Sequence, residues 1–170
     1  MTATLPDETS LASLLGTVEE AMTGKVLALA ADTPADVAAR RLEQAQVSGA
    51  PVVDRGRVVG VVTLRDLIAP ALAAGASAQT TGPFLRHEHH LAGYRVHELM
   101  TGEPLTARAD RPLARVVLAM EEAGVNRVPV VDDHGRPVGI LARDDVLGVL
   151  ARRMRRAPPT APRRSQLEPD

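Results

Sequence analysis

The chain has 170 residues, and its 45% apolar content is almost all Ala, Val and Leu, with one Phe, one Tyr and no Trp. That length suits one ordinary domain or two small units sharing a core, and the scarcity of aromatic rings excludes a stacking platform for single-stranded nucleic acid. Twenty basic against 21 acidic side chains leave a net charge of −1, with no overall pull toward nucleic acid or anionic membrane, and the lack of Cys excludes disulfides, thiolate nucleophiles and Cys-based zinc sites.

The first 17 residues form an extension, MTATLPDETSLASLLGT, without the basic and apolar blocks of a signal peptide. No run of about 18 apolar residues follows anywhere, so a membrane span is not expected and a cytoplasmic location is. Ser10 to Leu15 is expected to form a short helix that docks on the module or on a second copy.

From Val18 onward the chain repeats itself. A shift of 78 residues lays VEEAMTG (18–24) on VHELMTG (96–102), AADTP (30–34) on RADRP (108–112) and APVVD (50–54) on VPVVD (128–132). Over 18–54 against 96–132, 16 of 37 positions are identical. One extra residue in the second turn moves the offset to 79, and GVVTLRD (60–66) then aligns with GILARDD (139–145). Duplication of this kind points to two copies of one structural unit.

Each copy reads alike. A short extended piece, Val26 to Leu29 or Leu105 to Ala107, leads to Asp-x-Pro. That motif predicts Asp32 and Asp110 as N-caps, with Pro34 and Pro112 in the first helical turn. The helices are predicted from Pro34 to Gln46 and from Pro112 to Ala123, with Val37, Leu42 and Ala45 on one apolar face and Val116, Met120 and Ala123 on the other. The runs Ala50–Val53 and Val128–Val131 read as strands. Turns at Asp54–Arg57 and Asp132–Gly135 reverse them into Val58–Val62 and Val138–Leu141, and helices resume at Leu64 and Arg143. The expected fold is α+β (α/β), each unit running strand, helix, strand, strand, helix around a small mixed sheet, with a pseudo-twofold between units.

The junctions closing each hairpin carry polar side chains at fixed spacing. Thr63 with Asp66 three residues later forms a capping box with Asp in the usual Glu position. In the second copy Ala142 replaces the Thr and has no hydroxyl, yet Asp145 stays. A reciprocal box therefore cannot be the reason for Asp145, which leaves a helix-dipole carboxylate, worth roughly 0.3–1 kcal/mol, or a carboxylate placed to accept ribose hydroxyls.

MTG at the lead-in, Asp-x-Pro before the first helix, the PVVD strand, a Gly-containing turn and the closing G-h-h-[ST]-x-x-D together resemble a CBS domain, where h is an apolar residue. Two in tandem resemble a CBS pair, or Bateman module, over positions 18–150. The resemblance implies repeats at 18–75 and 96–151 joined by a linker at 76–95. It also implies an adenosine nucleotide (AMP, ADP or ATP, with S-adenosylmethionine or NAD as further options) bound between them as a regulatory ligand. On that pattern Asp66 and Asp145 hold the ribose, and Thr63 helps in one site only. Arg127, where the first copy has Gly49, contacts phosphate, and Ser48, Ala50 and Val128 supply hydroxyl and backbone contacts. Val26 and Leu105 line the base pockets, although ordinary core roles suit them equally. Arg127 lies in the same repeat as Asp145, with the Ser48 loop opposite, which favours the Asp145 pocket for phosphate.

His87-Glu88-His89-His90 lies in the linker and lacks the spacing of a metal site, so no metal is expected there. The tail at 152–170 is basic, Pro-rich and poor in apolar residues, which predicts disorder after a helix ending near Arg153. No activated nucleophile or phosphate-binding Gly-rich loop is present, so an enzyme is not expected. The reading is a non-catalytic sensor, a homodimer of such pairs, that signals to an unidentified partner protein. Two alternatives stand beside it: an adaptor with degenerate pockets, and a nucleic-acid accessory protein acting through the basic tail.

Overall fold

The computed structural model describes residues 15–73, 91 and 93–156. The first half contains helix α1 (Val18–Ala21), β1 (Thr23–Gly24), β2 (Leu29–Ala30), α2 (Ala35–Gln44), β3 (Gly49–Asp54), β4 (Arg57–Thr63) and α3 (Leu64–Ala73). The second contains α4 (Val96–Leu99), β5 (Thr101–Gly102), α5 (Leu113–Glu122), β6 (Arg127–Val131), β7 (Pro137–Ala142) and α6 (Arg143–Arg156). After each lead-in the expected order of strand, helix, strand, strand, helix is present, with Ala107 making a parallel bridge to Val130 as the counterpart of β2. The hairpins even share a register shift, between Val52 and Val53 and between Val130 and Val131.

The repeats exchange their lead-in segments. The sheets run β2-β3-β4-β5 and β1-β7-β6, so the first MTG strand pairs with the second hairpin, and the second MTG strand with the first. Hydrophobic burial follows the same exchange. Leu15, Val18 and Ala21 sit in the core of the second repeat with Leu113, Met120, Val128 and Leu141. Leu91 and Val96 complete the core of the first, with Leu29, Leu42, Val52 and Leu67. Neither core is closed by its own repeat.

This exchange explains the conformation of Asp-x-Pro and corrects the expected caps. The N-cap residues are Pro34 and Pro112, extended at ψ 138 and 125, with no side-chain cap, and the helices begin at Ala35 and Leu113. An Asp two residues before the Pro sits too far back to reach the first-turn amides. The Ala35 N–H donates instead to the Tyr94 carbonyl (3.0 Å) and the Leu113 N–H to that of Gly16 (2.8 Å). In return the Val96 and Val18 amides donate to the Thr33 and Arg111 carbonyls (2.9 and 3.0 Å). The orphan donors of each helix end are therefore satisfied by backbone of the other repeat.

The expected helix faces hold at Leu42, Val116 and Met120 but not at Val37, Ala45 or Ala123. Helix α2 buries Ala35, Ala38, Ala39 and Leu42, and α5 buries Leu113, Ala114, Val116 and Met120. Val37 is half-buried, and Ala45 and Ala123 are exposed, because both are C-caps where the chain leaves the helix. The next residues, Gln46 (φ 54) and Gly124 (φ 64), turn left-handed. The following amides return to Leu42 and Met120 carbonyls (3.0 and 2.9 Å), the bond that closes a Schellman motif.

The glycine that begins each closing motif is required by the exchange. A Cβ at Gly139 would lie 2.7 Å from the Met22 Sδ and 3.0 Å from the Thr23 carbonyl oxygen; one at Gly60 would strike the Met100 Sδ and lie 3.0 Å from the Thr101 oxygen. Each MTG strand of one repeat crosses directly over the glycine of the other. Among the described residues no helix is long and apolar enough to cross a membrane. Residues 1–14, most of the linker with its His87–His90 cluster, and 157–170 lie outside the description, while α6 continues past the expected end at Arg153 to Arg156.

Candidate functional site

The two strand-to-helix junctions are built alike up to one substitution. At the β4–α3 junction an Asp66 oxygen accepts both the Thr63 N–H and the Thr63 hydroxyl at 2.8 Å, and the Asp66 N–H lies 3.3 Å from the Thr63 oxygen. The expected capping box is present. At the β7–α6 junction the same oxygen of Asp145 accepts the Ala142 N–H at 2.8 Å. This corrects the inference that capping could not account for Asp145: the backbone half of the box needs no hydroxyl on residue 142. In both carboxylates Oδ2 holds the strand end, and Oδ1 has no hydrogen-bond partner among the described residues. Both side chains are half-buried.

Across each hairpin from residue 63 or 142 stands the first residue of the preceding strand, and here the repeats trade sizes. Gly49 pairs with Thr63, whereas Arg127 pairs with Ala142. A Cβ at Gly49 would lie 2.9 Å from the Val62 carbonyl oxygen and 3.1 Å from the Thr63 methyl, so the first repeat has room for the threonine only because position 49 is bare. The second repeat gives up the hydroxyl and gains a guanidinium.

That guanidinium points away from its own repeat. Arg127 donates through its terminal nitrogen to the Ser48 hydroxyl of the first repeat in a short hydrogen bond. The Ser48 carbonyl in turn accepts the first amide of α3, Leu64 N–H, at 3.0 Å, as the Asn126 carbonyl accepts Arg143 N–H at 3.2 Å. Ser48, Thr63, Asp66 and Arg127 are thus brought to one corner through Leu64 and the Gly49–Thr63 pair. Asp145 stands at the equivalent corner, whose strand residue Arg127 reaches across to the first repeat. Ala50 and Val128 are fully buried in the two cores, main chain as well as side chain, where they pair with Val62 and Leu141.

Val26 and Leu105 are both half-buried but are not equivalent: the 78-residue offset pairs Leu105 with Leu27 and Val26 with Pro104. Leu105 lines a cavity of about 580 Å³ with Arg108, Arg111 and Arg115, none of which the sequence reading singled out. Aligning the repeats column by column would have exposed them, since the first repeat carries Ala30, Thr33 and Val37 there. The Arg108 guanidinium is held above its usual range by its hydrogen bond to Asp133 and by the charge of that carboxylate. No cluster of three or more metal-ligating side chains occurs among the described residues.

The CBS domain family model matches residues 18–71 and 96–152, more than half of the chain. The chain is a member of the CBS domain family. It is 30% identical over 148 residues to a CBS domain-containing protein of Dictyostelium discoideum, covering 84% of this chain and 96% of that one. Among solved structures it is similar to CBSX2 in complex with AMP, at 29% identity and a TM-score of 0.64, covering 81% of this chain and 97% of that one. It is also similar to the CBS domain pair of protein MJ0100 in complex with 5′-methylthioadenosine and S-adenosyl-L-methionine. That match has 26% identity and a TM-score of 0.65, with the same coverage. The tandem CBS pair fold read from the duplicated motifs is therefore the fold of this chain.

Proposed function

We propose that this CBS pair is a non-catalytic regulatory module that binds an adenosine nucleotide at the corner where the two repeats meet. The observation that carries the reading is the Arg127–Ser48 contact, which brings a guanidinium of one repeat to the Asp66-capped helix start of the other. A guanidinium and a carboxylate at one corner suit a phosphorylated ribose, the first taking phosphate and the second accepting hydroxyl protons. The AMP complex of CBSX2 and the adenosine-bearing ligands of the MJ0100 pair support this ligand class.

In this reading Asp66 Oδ1 accepts a ribose hydroxyl while Oδ2 keeps the helix cap, and Thr63 orients the carboxylate. Arg127 leaves Ser48 to take the phosphate. The buried strand residues Ala50 and Val128 hold the corner from behind, and Val26 and Leu105 flank the base. Asp145 serves a second, weaker site without a neighbouring hydroxyl. In this reading the direction of Arg127 favours the Asp66 corner over the Asp145 pocket for phosphate.

Occupancy can act only through different affinities for two arrangements of the repeats. A ligand held by side chains from both repeats meets that requirement. We assign the receiver to a partner protein, and the oligomer to a homodimer through α5 and α6, whose outer faces expose Leu118, Leu147 and Leu150 beside a groove of about 420 Å³.

Thermal melting of the chain with AMP, ADP, ATP, S-adenosylmethionine and NAD tests the reading. A ligand at about 100 times its Kd stabilises by roughly 2.7 kcal/mol. A concentration-dependent rise with at least one adenosine compound, reduced more by Asp66→Ala than by Asp145→Ala, supports it. No shift with any of the five overturns it.

A further inference from the structure

The two corners carry opposite charge, and the difference lies in residues that the fold does not dictate. LRD (64–66) opens α3 where RDD (143–145) opens α6, so the place just before the corner aspartate holds Arg65 in the first repeat and Asp144 in the second. Both side chains are exposed, and neither makes an ion pair among the described residues. A carboxylate suits a helix start and a guanidinium opposes it. The first repeat opens α3 with the guanidinium all the same, so the junction imposes neither sign.

The cations next to Asp144 in the chain and in the hairpin are engaged elsewhere. Arg143 pairs with Glu121 at 3.1 Å. Arg127, which stands opposite Ala142, gives its guanidinium to Ser48 of the first repeat. The equivalent place in the first repeat is Gly49, which has no side chain to send back. The Asp145 corner is therefore left with two carboxylates, Asp144 and Asp145, whereas the Asp66 corner has one carboxylate beside Arg65 and Arg127.

We propose that Asp144 sets the ligand preference of the second site, so that the Asp145 corner takes a phosphate-free nucleoside while the Asp66 corner takes the phosphorylated one. This deepens the nucleotide reading and rests on it. Two carboxylates repel a phosphate dianion, and the repulsion acts through solvent over a Debye length of about 8–10 Å, so Asp144 needs no contact with the ligand. A ribose carries no charge and meets no such barrier. Asp145 holds the strand end with Oδ2 and keeps Oδ1 for a ribose hydroxyl, as Asp66 does in the first site.

The test is calorimetric titration of the full chain with adenosine and with AMP at low ionic strength, in Asp66→Ala, which leaves only the Asp145 corner. Adenosine should bind this variant at least about ten-fold more tightly than AMP. Adding Asp144→Asn should strengthen AMP binding at least about three-fold and leave adenosine binding at its former level. AMP binding equal to or tighter than that of adenosine in Asp66→Ala, binding of neither compound by that variant, or a preference that Asp144→Asn leaves unchanged overturns the inference, while binding of AMP by the wild type keeps the nucleotide reading. If the wild type binds neither compound, both fall. Circular dichroism establishes folding of each variant, and if Asp66→Ala is unfolded, Asp66→Asn is held to the same criteria.

Discussion

The corner at Gly49 and Thr63 and the corner at Arg127 and Ala142 occupy equivalent places in two copies of one fold, yet they divide the chemistry between them. The first keeps a hydroxyl beside its carboxylate and leaves the facing position bare. The second gives up the hydroxyl and sends an arginine across to the first. Duplicated backbone has thus been kept where the repeats hold each other together and changed where a ligand would be held. Equivalence of fold does not make two equivalent sites.

The shared part of the comparison is the most sensitive to mutation. Gly60→Ala and Gly139→Ala each put a methyl group against a methionine and a carbonyl oxygen of the crossing MTG strand. Overpacking of this kind costs about 1–3 kcal/mol, and chemical denaturation should show losses of that size for both. If one glycine tolerates alanine freely, the crossing is not the same in the two halves.

The divergent part separates the aspartates. Removing Asp66 deprives a backbone amide and a hydroxyl of their acceptor, whereas removing Asp145 deprives one amide. Cap losses run at about 0.5–2 kcal/mol, so Asp66→Ala should be the more destabilising of the two in the absence of ligand. Equal losses would mean that the Thr63 hydroxyl adds nothing to the cap.

A smaller difference lies at the ends of α2 and α5, where Gln46 adopts the left-handed conformation that Gly124 supplies in the second repeat. Gln46→Gly should stabilise the chain by up to about 1 kcal/mol, and Gly124→Ala should destabilise it by a similar amount. Melting curves of the pair check the sign of each.

The smallest effect concerns the hairpin turns. The Asp132 carboxylate accepts the Arg136 and His134 N–H groups at 2.8 and 2.9 Å, and these bonds hold its pKa below the usual 3.8. A carboxyl depressed in the folded state stabilises fully above its ordinary pKa and loses that contribution as pH falls through the lowered value. Acid titration should therefore loosen the second hairpin below about pH 3.8, and Asp132→Asn should flatten that part of the stability profile. An unchanged profile would remove the turn from the comparison.

Much of this architecture was legible in the sequence because its signals are local. The PVVD strands, the Gly-containing turns and the Thr63–Asp66 box each declare themselves within a few residues, and the 78-residue repeat multiplies them. The exchange of lead-in strands was not legible, since Thr23 pairs with Ile140 and nothing near Thr23 records the distant partner. The true helix caps are hidden from local sequence for the same reason: the groups that satisfy Ala35 and Leu113 belong to Tyr94 and Gly16. At the site the residue types were readable and their direction was not. Arg127 belongs by sequence to the Asp145 repeat and by contact to Ser48.

The most direct test of the shared corner is calorimetric binding of AMP and of adenosine to the wild-type chain and to Arg127→Ala. Arg127 is predicted to supply the preference for phosphate, so AMP should bind roughly ten-fold more tightly than adenosine to the wild type, and the two should bind alike to the variant. AMP binding that exceeds adenosine binding equally in both chains, or no preference in the wild type, would contradict it.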